Sequence, residues 1–371
     1  MMKTLPENLT LPPRTLARPG ALKDLLKEGR AFGRRGLLVH GRALTAGGAL
    51  HALRAASPAD VELTVWAHAG GEPTLDDVEA ALAVARDRQV EWVAGAGGGS
   101  TMDVAKACAG LLHSPLPVRA YHDGAPIEES RTPFLAAPST AGTGSEATFV
   151  SVLTNSATGV KKSFRHPSHM ARLVLLDPEL LATCPPAVIA HSGMDALVQA
   201  VESYISRGAT GFSDMLAITA IRLIHGRLTA LHQNARDLDA ATDLLHGSYL
   251  AGLALSNARL GIVHGLAHPL GARYHEPHGR VCAACLPAAL EFNRPAIGGK
   301  YEQMSDAVGS DLQEAVRRLT EALGIGAPFS GKTLDDRQAL IRETLASGST
   351  AANPRPVSAA DVDAMLTRLF E

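Results

Sequence analysis

Aromatic residues make up only 4% of this 371-residue chain, and it has just four cysteines. Four thiols at this length cannot form the disulfide framework of a small secreted scaffold. No uninterrupted apolar run reaches the roughly eighteen residues that a spanning helix needs, so no transmembrane helix is expected. Charge of one sign is missing too: the formal net charge is −2 and there is no basic block. That argues against nucleic acid or an anionic membrane as the main partner. Met1 to Leu16 has no apolar core of a secretion signal, so the cytoplasm is the expected compartment.

What is present in quantity is small and apolar. There are 35 glycines and 46% hydrophobic residues against 19% charged ones. This composition suits close helix packing and backbone that approaches ligands. The length exceeds one ordinary core, so two domains are expected. Up to about residue 180, short apolar runs alternate with amphipathic segments, the pattern of a parallel sheet with crossover helices. Strands are predicted at Gly36–His40, Glu62–Ala67, Val90–Gly95, Phe134–Ala137 and Leu173–Leu176, and helices at Gly47–Ala56, Leu75–Asp87 and Thr101–Leu112. After Pro185-Pro186 the strand-like runs stop and Ala/Leu-rich helical patterns continue to the end. The expected organisation is an α/β domain over residues 1–184 and an all-helical domain over 185–371.

Two loops carry nucleotide-like chemistry. Gly97-Gly98-Gly99-Ser100 joins a predicted strand to a predicted helix, where bare backbone amides and a helix N-terminus suit a pyrophosphate. The spacing is not that of the usual dinucleotide fingerprint. A second loop, Ser139-Thr140-Ala-Gly142-Thr143-Gly144-Ser145-Glu146-Ala-Thr148, follows another strand. Ligands in open α/β sheets bind at such carboxyl strand ends. Lys161 and Lys162 offer cations nearby in sequence, either for phosphate or as solvated hairpin charge.

The helical half holds a second constellation. His264 and His268 are four apart, hence on one helical face, and His278 follows ten residues later. Upstream, Asp195 and Gln199 repeat the four-residue spacing. Asp195, His264 and His278 are donors that zinc or iron(II) selects. Cys282 and Cys285 form a Cys-x-x-Cys, but with no second pair and an apolar setting they are expected to be plain residues of a buried helix.

Taken together, Gly97-Gly-Gly-Ser100-x-x-Asp103-x-x-Lys106, Thr140-Ala-Gly-Thr143-Gly-Ser-Glu146, Gly193-Met-Asp195, His264-x-x-x-His268-x-Leu-Gly271, Pro277-His278-Gly279 and Asn353-Pro-Arg-Pro356 resemble the motifs of the iron-containing (group III) alcohol dehydrogenases, nearly end to end. The resemblance implies a dehydroquinate synthase-like fold and NAD or NADP on the first domain. It also implies an Fe2+ or Zn2+ ion on the second, a small alcohol or aldehyde as substrate, and a homodimer. It places Gly41, Gly97, Gly98, Gly99, Ser100, Thr140, Thr143, Thr148, Lys162 and Leu180 around the cofactor. Asp103 is implied near the nicotinamide or substrate, His268 as a proton relay, and Asp195, Gln199, His264 and His278 around the metal.

This chain departs from the family pattern at Gln199, where most relatives have histidine. An amide oxygen is a weaker, harder donor, so a weakly held metal is expected, with Gln199 distant or acting through water. Metal-free turnover, as in the similar maleylacetate reductases, is the alternative that follows. A lyase resembling dehydroquinate synthase is another, but Arg259, Arg273 and Arg280 are few cations for a phosphorylated acid. After the first predicted strand the run His40-Gly41-Arg42 lacks the acidic residue that repels a 2′-phosphate, so NADP is allowed. A third departure is Glu72, where many relatives have asparagine.

Overall fold

The computed structural model describes residues 3–371. The chain divides into two compact units: Thr10–Cys184 with Ala235–Leu245, and Pro185–Asn234 with His246–Glu371 and the N-terminal segment up to Leu9.

The first unit is built on a six-stranded, wholly parallel sheet. Its strands are β1 (Thr15–Ala17), β2 (Arg35–His40), β3 (Glu62–Ala67), β4 (Trp92–Gly97), β5 (Phe134–Pro138) and β8 (Leu173–Leu176), in the order β1-β8-β5-β4-β2-β3. A separate antiparallel hairpin joins β6 (Val150–Thr154) to β7 (Lys161–Arg165). β4, β5 and β8 are buried along their whole length, as parallel strands covered on both faces must be. From β2 the chain passes to β3 on one side, whereas β4, β5 and β8 lie on the other. The reversal makes the carboxyl ends of β2 and β4 the switch point where this kind of sheet receives ligands.

β4 begins two residues later than the pattern predicts, because Val90 and Glu91 belong to a helix stop. Gln89 takes a left-handed φ of 48° after the 75–87 helix, and the Val90 amide returns to the Ala85 carbonyl. That is a 6→1 closure of a helix end. The short edge strand β1 and the β6–β7 hairpin carry too few apolar residues to register as strands by pattern alone.

The second unit is helical. Its main helices span Pro186–Ile205, Gly211–Gln233, Ile262–Tyr274, His278–Ile297, Lys300–Val308, Leu312–Ala322, Arg337–Ala346 and Ala359–Phe370, and the helix Leu238–Ala258 is shared between the units. Ser358 and Asp361 form a reciprocal capping box at the start of the last helix. No single helix among the described residues is long and apolar enough to cross a membrane. The bent pair 238–258 and 262–274 passes only by length and composition, with a 107° break.

Glycines set the close approaches of the 186–205, 262–274 and 278–297 helices to their neighbours. A Cβ on Gly279 would lie 1.9 Å from the His191 carbonyl oxygen, one on Gly265 2.0 Å from Thr350 Oγ1, and one on Gly193 2.3 Å from Leu228 Cδ1. Each of these glycines stands within two residues of Asp195, His264 or His278.

Candidate active site

In the α/β unit the two polar loops meet. Gly98, extended, precedes the 99–111 helix and offers no side-chain cap, so the first amides of that helix are left for a ligand. The glycine run is close-packed rather than merely flexible. A Cβ on Gly97 would sit 2.7 Å from Thr101, and one on Gly99 2.6 Å from Thr143 Cγ2. Gly41, at the end of β2, lies against Thr101, and its amide donates to the Ala96 carbonyl oxygen. Gly41, Gly97–Ser100, Thr140 and Thr143 are therefore drawn together at the ends of β2, β4 and β5. Leu180 is buried beside Thr183, Gly47 and Asp177 in the lining of a cavity of about 190 Å³ in the same unit.

Behind the loops stands a buried polar knot. Lys106 is fully buried and its ammonium donates to the Ser145 carbonyl at 2.6 Å, the Ser145 hydroxyl at 2.7 Å, Thr148 Oγ1 at 3.3 Å and the Val150 carbonyl at 2.7 Å. Burial pushes its pKa down to about 8, against the pull of Asp103 and Glu146. Burial also raises Glu146 to about 7. Asp103, expected beside the nicotinamide, has both carboxylate oxygens engaged here. One accepts from the Ser145 hydroxyl at 2.6 Å, the other from the Val152 amide at 2.9 Å. It braces the second loop against the hairpin. The Thr148 hydroxyl belongs to the same knot, and Thr148 is buried, so its side chain is a support rather than an open donor.

Lys162 donates to the His122 carbonyl at 3.0 Å, and Lys161 pairs with Glu72 at 2.5 Å. The departure at Glu72 thus has a partner in the hairpin. Arg42 donates to the Ala69 carbonyl at 2.7 Å while staying exposed.

In the helical unit Asp195, His264, His278 and Cys282 converge, each offering one donor atom within 4.8 Å of all the others. His264 Nε2 is 3.4 Å and His278 Nε2 3.6 Å from Asp195 Oδ1. Cys282 Sγ is 3.6 Å from His278 Nε2. Asp195 Oδ1 and His264 Nε2 are buried and make no hydrogen bond. Buried polar atoms without partners are costly, and two facing each other fit a cation between them. A divalent metal fits this donor set.

Glu202, which the pattern did not single out, orients the site. Its Oε2 lies 2.6 Å from His264 Nδ1, and its Oε1 accepts from the Val263 amide at 2.6 Å. This fixes the tautomer, leaving Nε2 to face Asp195. Burial alone would lower the His264 pKa, but the neighbouring Asp195 and Glu202 carboxylates outweigh it and raise it to about 9. Burial, then the Asp195 charge, holds the Cys282 thiol well above its ordinary range. Seven residues after Asp195, Glu202 falls on the same helical stripe, the one signal that could have found it. Asn353, from the C-terminal motif, braces the start of the 262–274 helix by accepting from the Ile262 amide at 3.2 Å and pairing with Asn293.

Gln199 does not present its oxygen to Asp195. Its amide nitrogen donates to Asp195 Oδ2 at 3.0 Å, and Oε1 is buried without a partner. His268 is exposed, its ring stacked on His278 with centroids 5.2 Å apart. Arg273 pairs with Glu343 at 3.3 Å and Arg280 with Glu276 at 2.9 Å. Cys282 is in a buried helix as expected, yet at the donor cluster rather than apart from it; the Cys-x-x-Cys reading missed this because only one of the two thiols faces the histidines.

Residues 12–178 match the family model for iron-containing alcohol dehydrogenase, and residues 189–370 match its C-terminal counterpart. This chain belongs to the iron-containing alcohol dehydrogenase family. Probable alcohol dehydrogenase EutG of Escherichia coli K12 is 34% identical over 366 residues, 95% of this chain and 92% of that protein. Lactaldehyde reductase of the same organism is 33% identical over 362 residues, covering 92% and 93%. Among solved structures, sulfoacetaldehyde reductase from Bifidobacterium kashiwanohense, in complex with NAD+, superposes with a TM-score of 0.92 at 27% identity and 98% coverage of both chains. A 1,3-propanediol oxidoreductase matches with a TM-score of 0.89 at 29% identity and full coverage of both. The family membership makes the chain an oxidoreductase of the alcohol dehydrogenase and aldehyde reductase type, with a dehydroquinate synthase-like fold, a nicotinamide cofactor and a divalent metal.

Proposed function

We propose that this enzyme interconverts a small, uncharged aldehyde and its primary alcohol, using NADPH or NADH and a metal held by Asp195, His264 and His278. The observation that carries this is the pair of buried, unpartnered atoms, Asp195 Oδ1 and His264 Nε2, 3.4 Å apart beside His278. When bound, the cation supplies Lewis-acid polarisation of a carbonyl oxygen, and the nicotinamide supplies or takes the hydride.

Glu202 keeps the proton of His264 on Nδ1. His268, exposed against the His278 ring, exchanges the reaction's proton with water at a ring nitrogen. Gly41, Gly97–Ser100, Thr140 and Thr143 hold the dinucleotide through backbone amides and hydroxyls, Leu180 contributes an apolar contact, and Lys162 adds charge at the rim. Neutrality of the substrate follows from Arg273 and Arg280, whose charges are already paired with Glu343 and Glu276. Acceptance of NADPH follows from His40-Gly41-Arg42, which sets no carboxylate at the end of β2. The protein works as a cytoplasmic homodimer on this reading, with exposed Leu5, Leu9 and Leu11 offering apolar contact area. Light scattering of the purified protein tests the dimer.

The main test is a panel of aldehydes and alcohols with both nicotinamides, run before and after exhaustive chelation. Neutral aldehydes should drive NAD(P)H oxidation, chelation should abolish it, and Fe2+ or Zn2+ should restore it. Undiminished turnover by metal-free protein would establish the metal-independent reductase instead.

A further inference from the structure

Gln199 stands one helical turn after Asp195 but turns its amide nitrogen to the carboxylate, and a thiol stands across the cluster. We propose that Cys282 is the fourth protein ligand, so that the cation sits in an Asp-His-His-Cys set with Gln199 as an outer support. This rests on the reading that Asp195, His264 and His278 hold a metal.

Three edges of the candidate polyhedron can be measured. Asp195 Oδ1 to His264 Nε2 is 3.4 Å, Asp195 Oδ1 to His278 Nε2 is 3.6 Å, and His278 Nε2 to Cys282 Sγ is 3.6 Å. A tetrahedral ion with bonds of about 2.0–2.3 Å to oxygen, nitrogen and sulfur needs edges of roughly 3.3 to 3.8 Å. The measured edges fall in that interval, and no donor pair exceeds 4.8 Å. Helix geometry supports the assignment: His278 and Cys282 are four residues apart in the 278–297 helix and share a face, as Asp195 and Gln199 do in the 186–205 helix.

Gln199 is placed otherwise. Its nitrogen meets Asp195 Oδ2, while His264 and His278 gather at Oδ1. Turning the amide over would set its oxygen against a carboxylate oxygen, so the observed orientation is the one chemistry allows. Held this way, Gln199 aims the carboxylate instead of ligating. The Cys282 thiol, in turn, lies within 4.8 Å of an Asp195 carboxylate oxygen. Binding exchanges that S–H proton for the cation: the sulfur–metal bond forms, the S–H bond breaks, and the proton passes to solvent. No redox partner is needed. Cys285, three residues on, is buried but outside the cluster and serves as an internal control.

The test uses Co2+ alone as the probe, added to the full-length protein after chelation. Cobalt-loaded wild type and Cys285→Ser should both show a near-ultraviolet sulfur-to-cobalt charge-transfer band. Cys282→Ser should lose the band, retain ligand-field absorption in the visible and bind Zn2+ about tenfold or more weakly in competition with a chelator. If wild type binds cobalt without that band, Cys282 is not a ligand while the metal site stands. If neither wild type nor Cys282→Ser binds any metal, the site itself is overturned, and this proposal with it. Circular dichroism of each variant verifies that it is folded.

Discussion

The two halves of this enzyme build binding sites by opposite means. In the α/β unit the site is made by leaving side chains out: glycines at the ends of β2 and β4, packed so closely on Thr101 and Thr143 that a methyl group would collide. In the helical unit the site is made by bringing side chains from two other helices onto Asp195 Oδ1. A backbone site is local and survives most distant changes, whereas a convergent site fails when one contributor is lost. That difference orders the expected effects of mutation.

The largest belongs to the convergent site. His264→Ala should remove the bound metal and lower kcat by about three orders of magnitude or more, the range lost when an electrostatic stabiliser of the reacting oxygen goes. Metal analysis with steady-state kinetics measures both, and retention of either would show that the cluster is not shared in function. Next comes its support. Glu202→Gln keeps the shape but weakens the hold on His264 Nδ1, and metal affinity should drop about 10- to 100-fold. A competition titration reads this, and an unchanged affinity would make Glu202 only a helix cap for Val263.

The backbone site should respond more gently and in a different constant. Gly99→Ala forces Thr143 aside, so KM for the nicotinamide should rise about tenfold, roughly the cost of one misplaced phosphate contact, with metal content unaffected. A change in metal content there would break the contrast between the halves. Different in kind, and without a direct effect on turnover, is a pH effect in the buried knot. Burial raises Glu146 from 4.5 to about 7. Its folded pKa lies above its unfolded one, so its stabilising contribution is complete below about pH 4.5 and is lost as pH rises through 7. Glu146→Gln should therefore lose less stability than wild type between pH 5 and 7.5. The difference is roughly 3 kcal/mol at the upper limit, read as Tm against pH. Parallel Tm curves would show that Glu146 does not titrate in that window.

Legibility in the sequence follows the same division. β3 and β8 and the 75–87 helix have the limits their patterns predict, because short apolar runs and amphipathic spacing are local signals. Asp195, His264 and His278 stood out in the sequence because their residue types suit a divalent metal and lie in a histidine-rich stretch and its upstream Asp-x-x-x-Gln. Glu202 was not, since a lone glutamate among Ala and Val gives no hint that it will meet an imidazole 62 residues away. Cys282 was set aside with Cys285, although their three-residue offset sends only one of them into the cluster. Asp103 looked catalytic by motif, yet its carboxylate is committed to Ser145 and to the Val152 amide. Such commitments depend on tertiary neighbours, and the β6–β7 hairpin that supplies one of them left only a weak pattern of its own.

The glycine contacts flanking the ligands have a consequence for how the holoenzyme is made. Gly193, Gly265 and Gly279 let their helices touch at distances set by backbone and neighbouring side chains. Such packing favours loading by insertion into a pre-formed socket, with little ordering of the chain to accompany it. Stripped protein should then keep its far-ultraviolet dichroism, and one preparation should accept different ions in turn.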